Sequence, residues 1–547
     1  MMLKRVNSWG GRAASLATGL TALLGLATSS FAAEYVVKLK AEKSVSSFAG
    51  EMKNLDGIKV KDTHATGRLV AIDTGANKEN QDVKILQKLS AMPEVEYIVP
   101  NIKLHMFDTP NDPKFSEQWA LTKVNAPQAW DTNVGSRNVV VAVIDTGIDW
   151  HHADLSDNIW TNPGEIPGNN IDDDNNGFVD DVHGWDFNAG DNDPMDETSQ
   201  QNPGHGTHCA GIVGGVGNNN TGISGMSQEI TIMPVRFLGA NGSGDLMAGA
   251  KAVDYAVSNG AHIISASWGA AVQESQIKPI LEAIERADQA GVIFVAAAAN
   301  DGKNNDTRAV FPANSKSANV ISVAASDPQD GKPSWSNYGK ATVHLASPGQ
   351  DILSTLPNSY GKLSGTSMAT PLVAGLVGLM KAQAMAEGRD LNGAQARSIL
   401  QTTGAPVNIE TACDCRVDAN EAVNFIRDNK IAVVPAAATL AAQATKTFTG
   451  IGGTEPYKFT SSNPAVATVT ESGQLQAVAN GETVLTMTDA NGSTVQSKKI
   501  YVGSTPDNGG GGGGGEACPF EDPNTCLLMC LMNPELPWCE DLPLPTP

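Results

Sequence analysis

The chain has 547 residues and a mass of 57.0 kDa, with 37 Lys and Arg against 59 Asp and Glu and a formal net charge of -22. That length exceeds one ordinary domain, yet a single α/β core of roughly 250 to 300 residues fits inside it. The acidity disfavours nucleic acid as a partner, because binding a phosphate backbone needs a basic surface, and it suits a secreted protein that binds calcium.

Lys4, Arg5 and Arg12 precede an apolar stretch from Ala13 to Ala27 and then Ser30-Phe31-Ala32, the pattern of a signal peptide over residues 1–32. Gly19 and Gly25 interrupt the stretch, and no later run is expected to reach the ~20 apolar residues of a membrane span. Tyr35-Val36-Val37-Lys38-Leu39 alternates like a strand and Asp82 to Met92 has helical spacing, so residues 33–107 read as a small α+β unit. From Asn111-Asp112-Pro113 onward, short apolar runs alternate with helical patterns. Val139–Ile144, Ile230–Val235, His262–Ala266, Val292–Ala297 and Val320–Ala324 read as buried strands of a parallel sheet, with function expected at their carboxyl ends.

After about Asn429 the texture turns all-β. Ala465–Val469 and Thr483–Met487 alternate between Gly and Asn turns, predicting a β-sandwich over 431–503. Residues 504–516 hold a Gly-rich linker and 517–547 a Cys- and Pro-rich tail, where Cys518, Cys526, Cys530 and Cys539 allow three pairings. Export into an oxidising compartment accords with these cysteines. Cys413 and Cys415 stand too close for an easy bridge and stay unassigned.

Three segments carry nucleophilic chemistry: Val141-Ala142-Val143-Ile144-Asp145-Thr146-Gly147, His205-Gly206-Thr207-His208-Cys209-Ala210-Gly211 and Gly365-Thr366-Ser367-Met368-Ala369-Thr370-Pro371. A serine hydroxyl needs an imidazole to take its proton, and the imidazole needs a carboxylate to fix its tautomer and support its cation. Asp145 closes an apolar strand, while His205 and Ser367 open helical patterns. Singly, each is explained by a turn or an N-cap; together they specify a triad. Cys209, one helical turn after His205, is a second conceivable nucleophile but reads better as buried packing. His205 and His208 lack the spacing of a zinc protease helix, and no HExxH occurs.

In this order and at these separations the motifs resemble the subtilase family of serine proteases, its thermitase-like branch, over about Asp108 to Arg427. The resemblance implies a secreted endopeptidase of α/β, subtilisin-like fold over 108–430, acting on protein or peptide substrates through an acyl-enzyme. Asp145 would orient the base, His205 would be that base and Ser367 the nucleophile. Asn300, after the apolar run from Val292, matches the family's oxyanion donor. Ala299 stands where the family usually has Gly and borders the pocket for the side chain before the scissile bond, so its methyl narrows that pocket; Asp301 is a candidate for favouring a basic group there. Gly242-Ser243-Gly244 and Ser267-Trp268-Gly269 match the segments that grip substrate backbone as an added strand.

The loop Asp172-Asp173-Asp174-Asn175-Asn176-Gly177-Phe178-Val179-Asp180-Asp181 sets oxygen ligands at alternate positions around a sharp turn. Asp172, Asp174, Asn176, the Phe178 carbonyl and Asp181 are the calcium ligands expected from it, since carboxylates so close repel one another without a cation. The resemblance adds a second calcium site from Asp112, Asp154, the Asn219 side chain and the carbonyls of Val216, Thr221 and Ile223. It also makes residues 33–107 a propeptide that assists folding, inhibits the enzyme and is cut between about Leu104 and Asp108. The 431–502 segment resembles bacterial immunoglobulin-like modules, which would contact a cell surface or insoluble substrate. A surface-binding protein with a retired protease scaffold is the rival reading, disfavoured by the intact triad and Asn300. A narrow processing protease would need more acid in its pocket than Asp301.

Overall fold

The computed structural model describes residues 34–53, 55, 58–74, 85–86, 88–101 and 109–503. The expected signal segment, the cleavage region at Leu104–Asp108, the linker and the cysteine tail fall outside them.

Strands β1 (Glu34–Leu39), β2 (Lys59–His64), β3 (Leu69–Asp73) and β4 (Val95–Pro100) form a four-stranded antiparallel sheet in the order β2-β3-β1-β4. Alternation in β1 buries Tyr35, Val37 and Leu39 against Phe48 and Met52 of the Val45–Met52 helix, with Leu89 from the partly described 82–92 segment completing the core. Ser44 caps that helix by accepting from Ser47 N.

A nine-stranded sheet organises the central region: β5 (Gly135–Asp145), β6 (Trp185–Asp186), β7 (Glu229–Arg236), β8 (Ile263–Ala266), β9 (Ile293–Ala297), β10 (Val320–Ser326), β11 (Leu345–Pro348), and the late pair at Ala405–Pro406 and Cys415–Arg416. All ladders are parallel except that late pair. From β5 the chain runs to the edge strand β6, comes back to insert β7 between β6 and β5, and then lays β8, β9, β10 and β11 in turn on the other side. The order reverses between β5 and β8, and an open parallel sheet leaves its cleft there, at the carboxyl ends. The central strands β8, β9 and β10 are buried on both faces, hence their continuous apolar runs. Val141, Val143, Ile263 and Val295 pack toward the His205–Gly214 and Thr366–Ala386 helices, whereas Ala142, Ile144, Ile264 and Phe294 face the Leu246–Ser258 and Lys278–Gln289 helices.

The Thr366–Ala386 helix corrects one expectation: its 21 residues are long and apolar enough to cross a membrane. Nearly all of it (94%) is buried inside the protein, and a helix apolar all round is what a core position between two packed layers requires. Cys413 and Cys415 are also corrected, for they are disulfide-bonded. Asp414 between them turns the chain through a left-handed conformation (φ +47°), which brings the two Cα atoms to 5.1 Å, within a disulfide's reach.

The C-terminal unit is strand-rich, with Phe448, Phe459, Leu475, Leu485, Met487 and Ile500 in its core. The expected strand Thr483–Met487 is two strands. Gly481–Thr483 pairs with Ile500–Val502, and Leu485–Thr488 pairs with Lys458–Ser461 and Thr494–Gln496. Between them Ser462 N donates to the Val484 carbonyl and Val484 N to Ser462 Oγ, so the backbone changes partners at that residue.

Candidate active site

Asp145 ends β5 fully buried, and its Oδ1 lies 2.7 Å from His205 Nδ1 while also accepting from Thr146 N. The His205–Gly214 helix begins where Asn202 Oδ1 accepts from His205 N at 2.7 Å and from Gly204 N at 3.0 Å. Its start presses so closely on the β5 loop that a Cβ at Gly206 would stand 2.1 Å from the Gly147 carbonyl. Burial is the largest single influence on His205 and works against its charged form, but the Asp145 carboxylate and the neighbouring Cys209 together outweigh it and hold the pKa well above its usual 6.5. Two turns of chain are pinned together beneath the pair by Asp196, a residue the sequence did not single out. Its Oδ2 accepts from Thr207 N and Oγ1, and its Oδ1 from Thr146 Oγ1 and Asn202 Nδ2.

Ser367 is the second residue of its helix, where a backbone N–H has no intrahelical acceptor. Its hydroxyl donates to the Ser267 carbonyl at 3.2 Å rather than to His205. Pro371 has no N–H to return to the Ser367 carbonyl one turn back. That carbonyl instead accepts from Ser267 Oγ at 2.9 Å and Cys209 Sγ at 3.4 Å, which ties the serine to β8 and to the histidine helix. Cys209 is fully buried, and burial raises its pKa, so it is a thiol packed under the site. His208 points elsewhere: its Nε2 donates to the Gly361 carbonyl, and burial lowers its pKa to about 3.

Asn300 uses its Oδ1 to accept from Thr366 N at 2.8 Å and Thr366 Oγ1 at 3.0 Å. This fixes the amide so that Nδ2 is the remaining donor. A Cβ placed on Gly365 would touch Asn300 Nδ2 and Ser367 N, each at 3.5 Å, so both donors face one small space that a side chain would fill. Ala299 adopts φ +87°, the left-handed region in which glycine is at ease and alanine is strained. Residues 243–245 and 267–269 have no sheet partner among the described residues. Both line one cleft of about 370 Å³, with Gly242, Ser243 and Gly244 on one wall and Trp268 and Gly269 on the other. Trp268 is locked by its Nε1–H to the Ile144 carbonyl and by edge contact with Phe237.

The acidic loop gathers most of its expected ligands. Asn176 Nδ2 bridges Asp174 Oδ2 and Asp181 Oδ2, Asp172 accepts from Asn176 N and Gly177 N, and Asn162 Nδ2 reaches both Asp174 and Asp181. Phe178 donates its N–H to Asn176 Oδ1 and packs its ring on Trp185 and Tyr255. Glu165, missed in the sequence because it lies outside the loop, brings a carboxylate oxygen within 4.8 Å of those of Asp172 and Asp174. Burial raises the pKa of Asp181, and Asp174 adds to it. The carboxylates of Asp172, Asp174, Asp181 and Glu165 give oxygen donors around a buried carboxylate, which fits calcium, while Asn176 turns its Nδ2 toward them and would ligate only with its amide reversed.

The second group also assembles. Asp112 accepts from Asn218 N and Asn219 N; Asp154 accepts from Asn219 Nδ2 and Ile223 N, and its own carbonyl takes Val216 N. Thr221 N donates to Asn219 Oδ1. Both carboxylates are buried, 4% and 0% exposed, with pKa values raised by that burial. Tyr360 hydrogen-bonds Asp154, a partner that no motif announced. Two adjacent buried carboxylates are the arrangement a hard cation neutralises.

The family model for the subtilase family matches residues 136–452, and one for an intimin immunoglobulin-like domain matches 443–491. Thermitase of Thermoactinomyces vulgaris is 42% identical over 277 residues, covering 50% of this chain and 86% of its own. A thermophilic serine proteinase of Bacillus sp. (strain AK1) is 33% identical, covering 69% and 82% respectively. A halolysin-like extracellular serine protease of Natrialba magadii is 30% identical, covering 78% and 76%. The chain belongs to the subtilase family: it is a subtilisin-like serine endopeptidase, with an immunoglobulin-like region following its α/β domain.

Proposed function

We propose that Ser367, His205 and Asp145 are the catalytic triad of a secreted endopeptidase. The observation that carries this is the 2.7 Å contact between Asp145 Oδ1 and His205 Nδ1 at the point where the strand order reverses. Asp145 keeps the proton on Nδ1, leaving Nε2 as the base. Rotation of the Ser367 side chain away from the Ser267 carbonyl brings its hydroxyl to Nε2. The oxygen attacks the scissile carbonyl as the proton passes to His205, and the oxyanion is met by Asn300 Nδ2 and Ser367 N. His205 then protonates the leaving amine, and water, activated by the same imidazole, releases the acyl group. Substrate lies extended between 242–244 and 267–269, gripped by main-chain bonds that demand little of its side chains.

Residues 33–107 act as the propeptide, removed between about Leu104 and Asp108. Tyr97 and Val99 on its edge strand are 46% and 44% exposed, apolar surface suited to a partner. Calcium held by Asp172, Asp174, Asn176, the Phe178 carbonyl and Asp181, joined by Glu165, and by Asp112, Asp154, Asn219 and the carbonyls of Val216, Thr221 and Ile223, neutralises buried carboxylates and stiffens the fold. The immunoglobulin-like region serves attachment to a surface or insoluble substrate.

A sulfonyl fluoride tests the triad. Peptide mapping is expected to place one adduct on Ser367 in the wild type and none in His205→Ala; an adduct elsewhere, or undiminished labelling without His205, refutes the assignment.

A further inference from the structure

A cavity of about 220 Å³ opens where the α/β domain meets the immunoglobulin-like region. Lys316, Lys340 and Arg397 line it from the first, and Lys446, Lys499 and Tyr501 from the second. No Asp or Glu lines it, although acidic residues outnumber basic ones 59 to 37 in this chain. An all-basic lining stands out on a chain this acidic.

The charges belong to different segments and are held in place. Arg397, from the Gly393–Thr403 helix, donates to the Val320 carbonyl at 2.9 Å and comes within 3.3 Å of His344 Nε2, which leaves the rest of its guanidinium for another acceptor. Burial lowers the Arg397 pKa to about 10, with Asp288 opposing. Lys446 stands on the solvent-exposed Thr445–Thr447 strand and lines the cavity together with Arg397. Lys499 pairs with Glu482 and Lys316 with Glu274, both carboxylates lying outside the lining. Cations that discourage one another at a domain junction are stabilised by an anion between them.

We propose that this junction binds a tetrahedral oxyanion, phosphate or sulfate, through Arg397, Lys446 and Lys499, and that its occupancy fastens the immunoglobulin-like region to the α/β domain. Arg397 supplies a planar fork and the lysines point charges, the combination suited to such an ion. The ion is free in solution or is an ester group on a sulfated polysaccharide, and the same cations receive either.

The test uses the full chain carrying Ser367→Ala, which prevents self-digestion. Calorimetric titration with inorganic phosphate and with a sulfated disaccharide is run at fixed ionic strength, alongside Lys446→Gln and Lys446→Arg. Phosphate is expected to bind and to raise the unfolding midpoint where chloride does not, with affinity falling about tenfold or more in Lys446→Gln and kept in Lys446→Arg. Binding of the disaccharide as well identifies the ester as a ligand; binding of phosphate alone identifies the free ion. Lys446 is an exposed strand residue, so its substitution spares the fold. Absence of heat at millimolar phosphate, or equal affinity in Lys446→Gln, overturns the proposal.

Discussion

Ala299→Gly separates backbone strain from pocket shape at one position. Ala299 holds φ +87°, where a Cβ costs about 1 to 2 kcal/mol, and its N–H and carbonyl are committed to Thr366 Oγ1 and Asn337 N, so the backbone cannot relax away. Glycine removes that cost but adds unfolded-state freedom worth roughly 0.4 to 1 kcal/mol. The two ranges subtract to about 0 to 1.6 kcal/mol, centred on about 0.8, and in a domain this large that central value raises the unfolding midpoint by roughly 2 °C. Scanning calorimetry in a Ser367→Ala background, with calcium present, reads it. We propose that Ala299 borders the pocket for the side chain before the scissile bond; the same change then removes a methyl group from that border, and kcat/KM for Phe relative to Ala is expected to rise about tenfold. An unchanged or lower midpoint refutes the strain argument, and an unchanged ratio refutes the placement of Ala299 at the pocket.

On the proposed mechanism neutral His205 is the active form, and its pKa is raised, so kcat/KM is expected to fall as pH drops through a midpoint above 6.5; a midpoint at or below that value counts against the Asp145 pairing. Chelation lowers thermal stability by about 2.7 kcal/mol for each site that was held at a hundredfold excess over its Kd. Calcium restores it, and Asp154→Asn and Asp181→Asn each abolish part of the restoration; stability indifferent to chelator contradicts both sites. Cys209→Ala leaves kcat within about threefold, and native protein resists alkylation, because the thiol is buried and its pKa raised; rapid inactivation by iodoacetamide shows the thiol to be reactive after all.

What the sequence disclosed is what local pattern encodes. Strands buried on both faces read as unbroken apolar runs, so β5, β7, β8, β9 and β10 were visible, and with them the strand end that carries Asp145. Short strands such as Leu345–Pro348 and Cys415–Arg416 were not, since their pairing depends on where a distant chain segment returns. The same holds for the site. Motifs named Asp145, His205, Ser367 and Asn300, but Asp196, Glu165 and Tyr360 act across gaps that no spacing reveals. Thr483–Met487 misled because one alternating run served two sheets, and Cys413–Cys415 because spacing alone hides the turn at Asp414.

The central claim is that Ser367 is the nucleophile that both matures and employs this enzyme. The direct test is the mass of secreted wild type and Ser367→Ala, with casein digestion measured for each. Wild type is expected to lose about the first hundred residues, consistent with a unit of propeptide size, and to digest casein, while Ser367→Ala keeps its propeptide and is inert. Equal processing and equal inactivity of the two proteins would contradict the account.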